Sequence, residues 1–124
     1  MLNGTPVLVA EDQIFIALDL ALAIEDAGGA VVGPAASVAE ALELLATTVV
    51  GAAILDVNLI DGDCSAVAEL LSARHIPIIV QTGLELPRGL AARFPDLVVH
   101  TKPCRASRLV AQLEAMLENL ARPG

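Results

Sequence analysis

Short apolar runs alternate with longer amphipathic stretches along this chain, and that alternation restricts the fold more than any other feature. Pro6 to Ala10 (PVLVA), Ala30 to Gly33 (AVVG), Ala52 to Val57 (AAILDV), Pro77 to Gln81 (PIIVQ) and Leu97 to His100 read as five strands. Apolar spacings of three or four predict helices between them. The first covers Gln13 to Ala27, with Ile14, Leu18, Ala21 or Leu22 and Glu25 in step, and Gly28 and Gly29 end it. The second opens on a capping box, Ser37 to Glu40 (SVAE), and continues through Leu42 and Leu45 to about Ala46. The third covers Ser65 to Arg74. The last covers Ala106 to Ala121, with Leu109, Leu113, Met116, Leu117 and Leu120 on one side. Thr82 to Asp96 holds Gly83, Pro87, Gly89 and Pro95, so the helix expected there is short or mobile, with Arg88 to Phe94 making one or two turns. Strands separated by helices pair in parallel through right-handed crossovers. Strands this continuously apolar belong to a sheet covered on both faces. The expected fold is therefore a doubly wound α/β domain on a five-stranded parallel sheet, with its site at the carboxyl ends of the strands.

The chain has 124 residues, the size of one domain covering 1–124, and the tail Arg122 to Gly124 is too short to lead into another. Hydrophobic residues make up 56%, which argues against disorder. Aromatics are 2%, with no Trp or Tyr, so stacking platforms for bases or flavins are scarce. Seven basic residues face fifteen acidic ones, for a net charge of −8, which argues against nucleic-acid binding. The uncharged run Leu44 to Leu55 is interrupted by Gly51 and falls short of the roughly 18–20 residues of a membrane span, so no membrane insertion is expected. The start, MLNGTPVLVAED, has no basic region ahead of an apolar one, which points to a cytoplasmic protein. Cys64 and Cys104 lack CxxC spacing and read as free thiols of a reducing compartment.

The chemistry-bearing residues collect at the strand ends. Glu11 and Asp12 follow the first strand, Asp56 ends the third, Thr82 follows the fourth, and Lys102 and Pro103 follow the fifth. Three carboxylates brought together repel one another unless a cation sits among them. Oxygen donors without His or Cys favour a hard ion, Mg²⁺ before Zn²⁺. Mg²⁺ leaves room for a phosphoryl group, and Lys102 offers it a point charge. Asp56 can then act as a covalent nucleophile that becomes an aspartyl phosphate. Each residue also has a plainer reading. Asp56 can end a turn, Glu11 and Asp12 can suit a helix dipole, Thr82 can cap a short helix, and Lys102 can be solvated. Asp61 and Asp63 read as turn residues, and His75 and His100 as surface or strand-end residues.

LVAED (8–12), LDVNLIDG (55–62), QTG (81–83) and TKP (101–103), in this order and on the expected strand ends, resemble the receiver domain of bacterial two-component response regulators. The resemblance implies a flavodoxin-like (βα)5 fold. It implies Mg²⁺ held directly by Asp12, Asp56 and the backbone carbonyl of Asn58, with Glu11 assisting through water. It makes Asp56 the phosphoacceptor, Thr82 the switch hydroxyl and Lys102 the charge facing the phosphoryl group, and it puts a cis peptide before Pro103. GPAASVAEAL (33–42), LDVNL (55–59), the Thr82–Gly83 pair and LPRGLAARFPD (86–96) are similar to an alphaproteobacterial subgroup with a Phe-Ala-Thr-Gly motif, where this chain has Val80, Gln81, Thr82 and Gly83. Val99 stands where receivers usually carry an aromatic, and Cys104 where Phe is frequent.

The function so implied is two-component signal transduction, not catalysis on a metabolite. A histidine kinase gives a phosphoryl group to Asp56, and the output is a contact with a downstream protein or phosphate flow. The apolar stretch IFIALDLALAI (14–24) predicts an exposed patch for a partner or a homodimer. The alternative is a receiver-like docking domain that works without phosphorylation. A phosphatase with an Asp nucleophile would want a second acid where Asn58 stands. A dinucleotide enzyme would want GxGxxG after the first strand, and a cobalamin protein a His near Asp56.

Overall fold

A computed structural model describes residues 1–83 and 86–121. The tail 122–124 lies outside the described residues. The elements run β1 (Pro6–Ala10), α1 (Ile14–Asp26), β2 (Ala30–Ala35), α2 (Val38–Thr47), β3 (Ala52–Asp56), a small hairpin of β4 (Asn58–Leu59) and β5 (Gly62–Asp63), α3 (Ser65–Ala73), β6 (Ile78–Thr82), α4 (Arg88–Arg93), β7 (Val98–Thr101) and α5 (Ala106–Ala121). The main sheet has five strands, all parallel, in the order β2-β1-β3-β6-β7. This is the doubly wound, flavodoxin-like arrangement expected from the alternation of runs. The chain leaves β1 toward one edge, returns to β3 on the other side of β1, and so opens its switch point between the carboxyl ends of β1 and β3. Helix α4 is short, six residues, because Pro87 and Pro95 bracket it and Gly89 lies within it.

The two-residue period of the strands sorts their side chains between two cores. Val7, Val9, Ala52, Ile54 and Ile79 pack with Leu20 and Ile24 of α1 and Leu109, Val110 and Leu113 of α5. Leu8, Ala10, Ala53, Leu55, Ile78 and Val80 pack on the opposite face with Ala41 and Leu45 of α2, Val67, Ala68 and Leu71 of α3, and Leu90 of α4. Each fully buried Leu, Ile or Val contributes about 1.5–3 kcal/mol of transfer free energy. Leu120, expected on the packed side of α5, is exposed, while Leu109, Val110 and Leu113 near the start of the helix are buried.

Strand β2 continues two residues beyond the expected end because a bulge carries it past Gly33 and Pro34. Its register with β1 slips between Leu8 and Ala10. Gly33 has φ +99°, and a Cβ there would come within 2.8 Å of the Ala35 nitrogen and 3.0 Å of the Val9 carbonyl. Only glycine fits such a backbone. The bulge brings the Ala35 carbonyl to the Glu11 N–H at 2.8 Å, which fixes the backbone of the first acidic residue. The peptides before Pro34 and Pro103 are both cis, the second as the resemblance implies.

Helix α2 starts where the capping box places it, and Ser37 Oγ accepts the Glu40 N–H at 3.0 Å. A second acceptor comes from far along the chain. Asp61 Oδ1 takes the Val38 N–H at 2.6 Å and Oδ2 takes the Ala39 N–H at 3.1 Å. The turn assignment of Asp61 and Asp63 is thus incomplete. Asp61 caps a helix 23 residues upstream, and Asp63 caps α3 through the Ser65 N–H at 2.9 Å. Orphan N–H groups at a helix start attract carboxylates, and the β4–β5 hairpin carries Asp61 to them.

Candidate functional site

The same strand period that sorts the core builds the site. Val7, Val9 and Glu11 follow one another on one face of the sheet, as do Ala52, Ile54 and Asp56, and Ile79 and Gln81. Where the strands run out, that face changes from aliphatic to polar. Glu11, Asp56 and Gln81 are all buried, at 2%, 5% and 2% exposure. The register pairs Asp56 with Gln81 directly.

Lys102 joins them from the loop after β7. Its backbone N–H donates to the Thr82 carbonyl at 2.9 Å, which sets where the side chain starts. Its Nζ then lies 2.9 Å from Asp56 Oδ2 and 2.9 Å from Glu11 Oε1. Glu11 Oε1 also accepts from Gln81 Nε2 at 3.1 Å, and Oε2 accepts the Gln13 N–H at 3.0 Å. Asp56 Oδ1 accepts the Asn58 N–H at 3.3 Å. Asp12 is exposed at the rim. Glu11, Asp12 and Asp56 each present an oxygen, all within 4.8 Å of one another. A cleft of about 190 Å³ is lined by Asp12, Gln13, Asp56, Asn58, Gly83 and Lys102. A larger one of about 500 Å³ opens beside it, with Ile16, Asp19, Gln81, Lys102, Cys104 and Arg105 among its walls.

The electrostatics follow from burial. Loss of water pushes the Glu11 carboxyl up to about 7, against the Gln13 N–H and Lys102, which pull it down, while the neighbouring Asp56 raises it. Burial pulls the Lys102 ammonium down, but Asp56 and Glu11 together outweigh it and leave it above its ordinary value. Two carboxylates, Glu11 and Asp56, share this ammonium and Asp12 stands beside them, so acidic groups outnumber the one cation in the cluster. Its donors are oxygens, with no His or Cys, so the set fits a hard divalent cation.

The residues singled out from sequence thus converge. Glu11, Asp12, Asp56 and Lys102 meet, and Asn58 lines the cleft beside them. Thr82 is buried at the end of β6, 3% exposed, with its carbonyl tied to the Lys102 backbone. Gln81 was missed as a site residue. The signal was a polar side chain closing an otherwise apolar strand, but which face it joins depends on strand register.

Solved structures that share this arrangement include response regulator receivers. A response regulator from Clostridium difficile superposes with a TM-score of 0.83 at 19% identity, covering 95% of this chain and 99% of that one. The chain has the receiver fold. A response regulator receiver protein from Sinorhizobium medicae matches the fold at TM-score 0.80 and 23% identity, over 95% of this chain and 98% of that one. The response regulator PhyR from Brucella abortus matches at TM-score 0.72 and 28% identity, over 96% of this chain and 52% of that one. In sequence, the transcriptional regulatory protein PdtaR of Mycobacterium tuberculosis is 34% identical over 112 residues, which is 87% of this chain and 54% of PdtaR. The chain spans about half the length of that curated relative. No protein-family model matches. Among the described residues, no helix is long and apolar enough to cross a membrane.

Proposed function

We propose that this chain is a receiver domain of two-component signalling that accepts a phosphoryl group from a kinase histidine onto Asp56. The observation that carries this reading is the contact of Lys102 Nζ with Asp56 Oδ2 at 2.9 Å, at the floor of a small acid-rimmed cleft. A carboxylate oxygen of Asp56 attacks phosphorus. The bond from phosphorus to the donor imidazole nitrogen breaks, and its electron pair stays on that nitrogen. Lys102 remains in reach of the charge that gathers on the transferring oxygens. Asp12, Asp56 and the carbonyl of Asn58 would hold Mg²⁺, with Glu11 assisting through water, and the ion would supply further neutralisation of that charge when bound. Thr82 stands at the strand end as the switch hydroxyl of this reading. The chemistry is confined to the domain's own loading and hydrolysis, so it is a signalling domain of the cytoplasm and not an enzyme acting on a metabolite.

Partner contact has a ready surface. Ile14, Phe15, Leu18 and Leu22 of α1 are exposed on the helix that follows Glu11 and Asp12. This apolar face next to the cleft suits a kinase or a downstream protein. The test is intact mass after incubation with acetyl phosphate, with and without Mg²⁺, for the parent chain and Asp56→Asn. The expected result is one Mg²⁺-dependent phosphoryl adduct on the parent and none on the variant. A folded parent that never gains the adduct returns the chain to the docking reading.

A further inference from the structure

Glu11 accepts from three donors in the cleft. Its Oε2 takes the Gln13 N–H at 3.0 Å. Its Oε1 takes both Lys102 Nζ at 2.9 Å and Gln81 Nε2 at 3.1 Å. Lys102 is itself shared, because the same Nζ lies 2.9 Å from Asp56 Oδ2. An ammonium divided between two carboxylates must redistribute when one becomes an acyl phosphate. Phosphoryl oxygens carry more charge than the carboxylate they replace and compete for the same N–H groups. What they gain, Glu11 loses. A carboxylate only 2% exposed is costly to leave short of donors.

We infer that Gln81 is a positioning residue that keeps Glu11 Oε1 bonded while Lys102 turns to the incoming phosphoryl group. Two further observations support it. Ile78, Ile79 and Val80, the rest of the run before it, are buried and aliphatic, and an amide at the end of such a strand is costly unless it is partnered. The sheet also fixes the point from which this side chain starts, since the Gln81 backbone pairs with Asp56 and its main-chain carbonyl accepts the Val57 N–H at 3.0 Å. That starting point therefore holds whichever way Lys102 points. The inference rests on phosphoryl transfer to Asp56. It deepens that reading by naming a residue that sets how readily the lysine is released.

The test compares loading from acetyl phosphate across a Mg²⁺ series for four chains: the parent, Gln81→Leu, Glu11→Gln, and the double variant. Loss of one hydrogen bond to a charged group predicts that Gln81→Leu lowers the maximal loading rate by about tenfold. Because the effect runs through Glu11 and Lys102, the Mg²⁺ midpoint shifts by less than about twofold, and in the Glu11→Gln background Gln81→Leu changes the rate by less than about twofold. Equal losses in both backgrounds would mean that Gln81 acts only by packing and would overturn the inference. So would an unchanged rate, or a change confined to the Mg²⁺ midpoint. If Gln81→Leu does not fold by circular dichroism, Gln81→Met, which also lacks the donor, takes its place with the same expectations. A parent that never loads sinks the transfer reading and the inference together. A parent that loads beside an indifferent Gln81 variant sinks the inference alone.

Discussion

Cys64 and Cys104 carry the same thiol into opposite surroundings. Cys64 is fully buried ahead of α3, and loss of water, with Asp63 beside it, pushes its thiol up to about 12. Cys104 is half-buried at the wall of the larger cleft, its Sγ 3.8 Å from His100 Nδ1. Iodoacetamide at pH 8 should therefore add one group to the native chain, at Cys104, and a second only in denaturant. Peptide mapping that finds Cys64 modified in the native chain contradicts this. The acidic residues of the site were legible for a similar reason of contrast. A carboxylate at the end of an apolar run, as at Glu11 and Asp56, has no solvent excuse and demands a partner. Gln81 gave a weaker contrast, because a neutral amide closing an apolar strand reads equally well as solvent-facing. Only the pairing of β6 with β3 puts it against Glu11.

Asp61 ties two elements that the sequence keeps far apart. The loop after Asp56 folds into the β4–β5 hairpin, and Asp61 delivers its carboxylate to the first N–H groups of α2. Those bonds hold the Asp61 carboxyl below its usual range. A carboxyl with a depressed folded value stabilises the fold above its ordinary value, and that contribution disappears as pH falls through the depressed one. Thermal melts from pH 6 down to pH 2.5 should show the parent losing midpoint temperature faster than Asp61→Asn, with Asp61→Asn the less stable at pH 6. Parallel curves would mean that the cap contributes nothing. At this scale the elements themselves were legible, since patterns of period two and near 3.6 are written in every segment. Long-range pieces were not. The bulge at Gly33, the hairpin and the Asp61 cap exist only once distant strands and helices are side by side.

Across the whole molecule, α1 has two apolar faces and only one is used. Ala17, Leu20 and Ile24 face the sheet, while Ile14, Phe15, Leu18 and Leu22 face solvent. Periodicity signalled the helix through Ile14, Leu18 and Leu22, yet these lie on its outer side. Spacing alone cannot say which of two apolar stripes goes inward. Because Phe15 and Leu22 lie mostly exposed among the described residues, Phe15→Ser and Leu22→Ser should keep unfolding free energies within about 0.5 kcal/mol of the parent while lowering the fluorescence of an apolar dye. A large loss of stability in urea titrations would show that these side chains are part of the core after all. The cleft at the strand ends completes the picture. At about 190 Å³ it is smaller than the ~300 Å³ at which ligand pockets usually begin, so under the proposed function it has room for a phosphoryl group and little of the body that brings it. Under the same proposal, discrimination between donors falls to the outside, where the exposed face of α1 stands apart from the acidic residues of the cleft. An engineer wishing to rewire the chain to another donor could recode the outer face of α1 and leave the strand ends as they are.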